Sequence, residues 1–190
     1  MSNGKSPDGL LTNAKRLIKG TVRAMLSGAE RFGKRTLIGG RVKFALDGKT
    51  VIGDQFTADG SLSAISIRTR KGGALSIGNH VYLNSGVSID AWHDVQIGND
   101  VLLGPFVSII DNDRHEVEPG AILQRGPVII GNNVWLGRNV AVMPGVSIGN
   151  GSVIGANSVV TKDIPPNSFA AGVPARVVRD LKIPDGWVRH

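Results

Sequence analysis

From Ile77 onward the aliphatic residues keep a step of six. Ile77, Leu83 and Ile89 form one run, Ile97, Leu103 and Ile109 a second, and Ile130, Leu136, Val142, Ile148, Ile154 and Val160 a third. Glycine often follows the aliphatic residue, at Gly78, Gly98, Gly104, Gly131, Gly137, Gly149 and Gly155, and a small or β-branched residue comes four positions after it, as at Val81, Val101, Val134 and Ser152. A helix of 3.6 residues per turn cannot keep a period of six on one side, and a hairpin sheet cannot turn this often. A coil whose every side is one short strand can do so. Its aliphatic side chains point inward, Gly or Asn takes the corner conformations, and three six-residue sides close a triangular turn of about 18 residues. The pattern therefore predicts an all-β solenoid, a parallel β-helix whose coils stack at about 4.8 Å. Residues 37 to 75 hold further strand-like stretches, TVIGDQF and LSAISIR among them, in irregular phase. They are expected to form earlier, imperfect coils.

The register breaks twice. A two-residue slip falls around DAWHDV, before Ile97, and the stretch from Ile109 to Ile130 covers 21 positions where the register calls for 18. The second break carries DNDRHEVEPGAILQRGP, in which Asp111, Asp113, Glu116 and Glu118 surround Arg114 and His115. A loop leaving a rigid scaffold is a common way to present reactive groups, so His115 stands out from an ordinary surface histidine. His80 sits in a regular repeat and reads as solvated. His93 lies in the slip, where it could border an acceptor pocket.

Ahead of the coils, Leu10, Ala14, Leu17, Ile18, Val22, Met25 and Leu26 recur at helical spacing with Lys15, Arg16, Lys19 and Arg23 between them. Ser6 can cap, Pro7 suits the first turn and Gly28 can close the end. An amphipathic helix is predicted near residues 7 to 27. Packing on its own domain or a neighbouring subunit is one role for it, and contact with an anionic membrane surface is the other. The domain division expected is a basic helical segment over 1–36, a β-helix over 37–180 with a loop at 110–128, and a tail over 181–190.

Composition narrows the chemistry. The 26 glycines among 190 residues are about twice ordinary usage and suit many tight corners. No cysteine is present, which excludes disulfides, thiolate metal sites and a cysteine nucleophile. The net charge of +7 is concentrated at one end: residues 1 to 50 carry 11 Lys or Arg against 3 acids, and the remainder 11 against 12. No aromatic residues interleave with the basic ones, so nucleic acid is not expected as a partner. No apolar run reaches the ~20 residues of a membrane span and the first residues lack a signal peptide's apolar core, so a cytoplasmic location is expected.

The stretch IIGNNVWLGRNVAVMPGVSIGNGSVIGANSVVTKDIPPNSFAAGVPARVVR, together with NSGVSI upstream and the looped histidine, resembles the hexapeptide-repeat O-acetyltransferases. These enzymes act on maltose or galactosides, on xenobiotics, or on bacterial surface polysaccharides, and the resemblance covers about residues 75 to 180. It implies a left-handed β-helix assembled as a homotrimer, with acetyl-CoA lying in grooves between subunits. It also implies that His115 is the catalytic base and that Asn84 stands near the acceptor hydroxyl. For Asn84 a second role is open, as a corner residue, because Asn accepts left-handed backbone angles.

The same resemblance puts Trp135 beside the acetyl-CoA channel, and Gly137 and Ala156 along the pantetheine arm. Thr161, Lys162, Arg176 and Arg179 match positions at the phosphate and adenine end, where cations suit phosphates. Arg138 stands where relatives often have a small polar residue. No metal is expected. The γ-class carbonic anhydrases share this coil but need a second histidine shortly after the loop one, and residues 116 to 189 contain none. A serine acetyltransferase would bring a long helical N-terminal domain that is not found here. The run QRGPVIIGNNVW looks closer to enzymes acetylating O-antigen, capsule or related glycans, whose acceptors are built on lipid carriers at the cytoplasmic membrane face. That setting would give the basic helix a peripheral membrane role.

Overall fold

The structure, a computed structural model, describes residues 28–116 and 118–189; the helix predicted near residues 7 to 27 lies outside them. From Arg31 the chain winds as a three-sided parallel β-helix. The first face stacks Arg31–Phe32, Lys49–Ile52, Ala74–Ile77, Asp94–Ile97, Val128–Ile130 and Ser147–Ile148. The second face runs from the start of Thr57–Thr69 through Tyr82–Leu83, Leu102–Leu103, Trp135–Leu136 and Val153–Ile154 to Ser168–Gly172. The third runs from the end of Thr57–Thr69 through Ser88–Ala91, Ser108–Ile110 and Ala141–Val142 to Val159–Val160. Leu37–Leu46 pairs along Thr57–Thr69, so the phase-irregular stretch does form earlier coils.

Each short strand turns both the period-six aliphatic and the residue two before it inward: Val81 with Leu83, Val134 with Leu136, Val140 with Val142, all buried. Full burial of such a side chain contributes about 1.5–3 kcal/mol, and the coils stack these contributions into one continuous core. At the N-terminal end the repeat gives way to aromatics. Phe56 is fully buried, and Phe32 meets it edge-on at 6.1 Å and Phe44 at 6.0 Å, which fills the interior where six-residue phasing is lost.

Asn133, Asn139 and Asn157 do take left-handed corner conformations, as do Gly86, Gly145 and Gly151, but the glycines that follow the first-face aliphatics do not. Gly53, Gly78, Gly98 and Gly131 do not have positive φ; Gln55, His80, Asp100 and Asn133, two residues further on, do. At each of these glycines an added Cβ would lie 2.4–2.6 Å from the asparagine Oδ1 of the next coil. Those asparagines form a ladder in which Asn79, Asn99, Asn132 and Asn150 each accept a hydrogen bond, at 2.7–2.8 Å, from a backbone N–H one coil earlier. Glycine is present to make room for that ladder.

The two breaks are one device. Ile97 pairs with Ile130, 33 positions on, whereas Ile130 pairs with Ile148, 18 positions on. The insertion is therefore much longer than the 21-against-18 spacing suggested, because Ile109 and Ile130 belong to consecutive faces and not to one face a coil apart. The slip at Trp92–His93 sits one coil earlier on the same edge. Asp111, fully buried, accepts hydrogen bonds there from the N–H groups of Trp92, His93 and Asp94 at 2.8, 2.7 and 2.8 Å.

Candidate active site

Three edges run along the prism, and two of them carry the predicted residues. After the second face come Asn84, Gly104, Gly137–Arg138 and Ala156, one coil above another, tied by Asn84 N–H to Leu103, Gly104 N–H to Leu136 and Gly137 N–H to Ile154 carbonyls. After the third face come Trp92–His93, the loop with His115, and Thr161–Lys162, which are exposed. Within one chain the structure thus brings Asn84, Gly137 and Ala156 together, with Trp135 on the face leading to them, and puts His115, Thr161 and Lys162 on the next edge.

Asn84 is not a left-handed corner residue; Gly86 has the positive φ at that turn. The Asn84 side-chain Oδ1 accepts a hydrogen bond from Ser85 N–H at 2.7 Å. Asn84 lines a cleft of about 470 Å³ with Tyr82, Trp135, Arg138 and Arg189. Gly137 has a structural necessity of its own, since an added Cβ would stand 2.8 Å from the Ala156 nitrogen. The cleft follows an outward ladder on the second face: Tyr82, Leu102, Trp135, Val153 and Phe169 in register, then Arg179 opposite Phe169 on the returning antiparallel strand Ala175–Asp180. Trp135 remains 45% exposed on this ladder. The Arg179 guanidinium lies 5.6 Å over the Phe169 ring, and Arg176 donates to the Ala175 carbonyl at 2.7 Å. Five strand spacings separate the Asn84 coil from Arg179, ~24 Å.

The loop has a built stem. Asn112 and Arg125 form an antiparallel bridge, Asp113 N–H donates to Gln124 O at 3.0 Å and Gly126 N–H to Asp111 O at 3.1 Å. Arg114 has φ 63° and its N–H donates to Asn112 Oδ1 at 2.8 Å; His115 follows, exposed, its N–H donating to Asp113 O at 2.8 Å. The acids do not gather round the cations as the sequence suggests. Asp111 turns into the solenoid, Glu116 accepts from Gly120 N–H at 3.1 Å, and among the described residues no salt bridge joins a loop acid to Arg114 or His115.

What flanks the loop base was not legible beforehand. Arg70 grips Asp90 through two bonds, at 2.9 and 3.1 Å, and lies 4.8 Å over the Trp92 ring, with Arg114 at 5.9 Å from the same ring. The hydrogen bond to Asp90 holds the Arg70 guanidinium above its ordinary pKa, against the opposing effect of burial. His93 meets Asn112 at 3.2 Å, and His80 is not simply solvated: its Nδ1 is 3.0 Å from Asp100 and its Nε2 2.7 Å from Gln55. Among the described residues no group of three or more His, Cys, Asp or Glu could hold a metal ion.

A sequence profile described as Bacterial transferase hexapeptide (six repeats) matches residues 127–162. The chain is 44% identical over 113 residues to the galactoside O-acetyltransferase of Escherichia coli (strain K12), covering 58% of this chain and 56% of that protein. It is 37% identical over 145 residues, 70% of this chain and 72% of the relative, to WbbJ of the same organism, a protein named as a lipopolysaccharide biosynthesis O-acetyl transferase. Among solved structures, the hexapeptide-repeat acetyltransferase VCA0836 of Vibrio cholerae O1 biovar eltor, complexed with acetyl coenzyme A, superposes with a TM-score of 0.60 at 25% identity, covering 96% of this chain and 94% of that one. The stacked six-residue coils and these relatives define one class, and the chain belongs to the hexapeptide-repeat acetyltransferase family. It spans about half the length of the galactoside O-acetyltransferases it matches.

Proposed function

We propose that the protein moves an acetyl group from acetyl-CoA to a hydroxyl of a sugar in a bacterial surface polysaccharide, and that it does so as a homotrimer. One observation supports this: the predicted residues divide between two neighbouring edges of the one chain. Asn84, Trp135, Gly137 and Ala156 line or adjoin a cleft at one edge, and His115, Thr161 and Lys162 project from the next. A six-residue side at about 3.3 Å per residue separates adjacent edges by on the order of 20 Å, while proton transfer needs contact near 3 Å. Parallel copies around a threefold axis would set the loop edge of one against the cleft edge of the next, completing the site at each junction.

In the completed site the acceptor hydroxyl oxygen attacks the thioester carbonyl carbon as the His115 imidazole takes its proton. The carbon–sulfur bond then breaks, and imidazolium returns the proton to the departing thiolate, so no other reactant is needed. Asn84 would orient the acceptor, Trp135 would flank the donor, and Gly137 and Ala156 would let its arm lie against backbone. Arg176 and Arg179, on the last strand of the ladder about 24 Å from Asn84, and Lys162 on the next edge offer cations to the phosphates. A polysaccharide acceptor is favoured over a small galactoside because the similarity to WbbJ runs over more of both chains. Such acceptors are assembled on lipid carriers, so the enzyme would work in the cytoplasm at the inner membrane face.

The test is thiol release from acetyl-CoA with sugar acceptors, comparing the natural chain with His115→Ala. The variant should lose a factor on the order of 10² to 10⁴ while light scattering still reports a trimer. Turnover by the variant equal to that of the natural chain would remove His115 from the mechanism.

A further inference from the structure

The C-terminal tail returns to the solenoid beside the cleft. Asn133 clamps it from both sides, its Nδ2 donating to Trp187 O at 2.9 Å and its Oδ1 accepting from Arg189 N–H at 3.0 Å. Arg189 is thereby fixed with its guanidinium 5.0 Å over the Trp187 ring and one terminal nitrogen 3.3 Å from Gly151 O. Its Nε is buried and bonds to nothing. A buried guanidinium donor left without an acceptor is costly, and burial lowers the Arg189 pKa.

Arg189 also borders an adjoining cleft that holds Asp100 and His80, which pair with each other at 3.0 Å. The cleft that Arg189 lines with Tyr82, Asn84 and Trp135 contains a second guanidinium, Arg138, held 5.8 Å over Phe106, and no acid. We infer that Arg189 and Arg138 form an oxyanion-binding subsite in this cleft, and that the acceptor is an acidic sugar whose carboxylate or phosphate group occupies it. The inference rests on the acyl-transfer reading for the direction of the cleft. The cations proposed for the donor phosphates, Arg176 and Arg179, belong to the last strand of the ladder, whereas Arg189 lines the cleft with Tyr82, Asn84 and Trp135, so coenzyme A enters the test as a separate probe. A planar guanidinium suits a carboxylate or phosphate, and a charge-assisted bond formed in a partly desolvated cleft discriminates strongly against a neutral sugar.

Equilibrium binding to the full chain, without turnover, tests the subsite with galacturonate, galactose, galactose 6-phosphate and coenzyme A as separate probes. Galacturonate or galactose 6-phosphate should bind at least about tenfold tighter than galactose, and whichever of the two is tighter identifies the anion. Arg189→Gln, which keeps the backbone bond to Asn133, should collapse that preference, Arg189→Lys should restore part of it, and coenzyme A affinity should change less than affinity for the acidic sugar. Equal binding of galactose and both acidic sugars, or an Arg189→Gln defect confined to coenzyme A, would overturn the subsite. Failure of acyl transfer would appear separately, as absence of thiol release with every acceptor.

Discussion

Asp111 can be removed by a single substitution whose cost follows from the geometry. Its carboxylate is fully buried and accepts three backbone N–H groups, from Trp92, His93 and Asp94, at 2.7–2.8 Å. Asp111→Ala removes the acceptor of all three bonds at once. A buried donor left unsatisfied costs about 1–3 kcal/mol, and because His93 is exposed and Trp92 and Asp94 are half-buried, water can reach the opened site and the lower end applies. Three donors then give about 3 kcal/mol. For a domain of this size that corresponds to a fall of about 6–12 °C in the melting midpoint, read by calorimetry at fixed protein concentration because assembly makes the midpoint concentration-dependent. Asp111→Asn should fall in between, since its amide keeps one acceptor oxygen but turns an N–H₂ toward the remaining donors. The exposed Glu118 of the same loop serves as the control, and Glu118→Ala should melt like the natural chain. A midpoint for Asp111→Ala within about 2 °C of the natural chain would refute the claim that this carboxylate pins the slip and the loop base together.

Gly98→Ala should cost about 1–3 kcal/mol in urea unfolding, because its Cβ would stand 2.6 Å from Asn132 Oδ1; an unchanged midpoint would mean that the asparagine ladder yields freely. Trp135→Ala should raise KM for acetyl-CoA about tenfold, ~1.4 kcal/mol of binding, with a smaller change in kcat. A defect in kcat alone would place the indole outside the donor channel.

The period of six was enough to define the architecture, because an inward aliphatic every sixth residue with a small residue four later can be satisfied only by short strands joined at corners. The looped His115 was equally legible, since an insertion in a regular repeat announces itself. Other features needed the assembled chain. Asp111 reads as one more acid beside His115, and only the stacking of coils brings it under the N–H groups of Trp92 to Asp94. Gly78, Gly98 and Gly131 read as corner residues, and only the next coil reveals that their missing Cβ is the requirement.

Local periodicity specifies which side chains point inward, so the sequence by itself determined the solenoid, its core and the loop. It could not specify what lies one coil away, because coils of 18, 20 and 33 positions bring together residues with no fixed separation along the chain. Tertiary structure alone therefore decided that Asn84 and Trp135 share a cleft with Arg189, a residue more than a hundred positions from Asn84, and that His115 projects from a different edge.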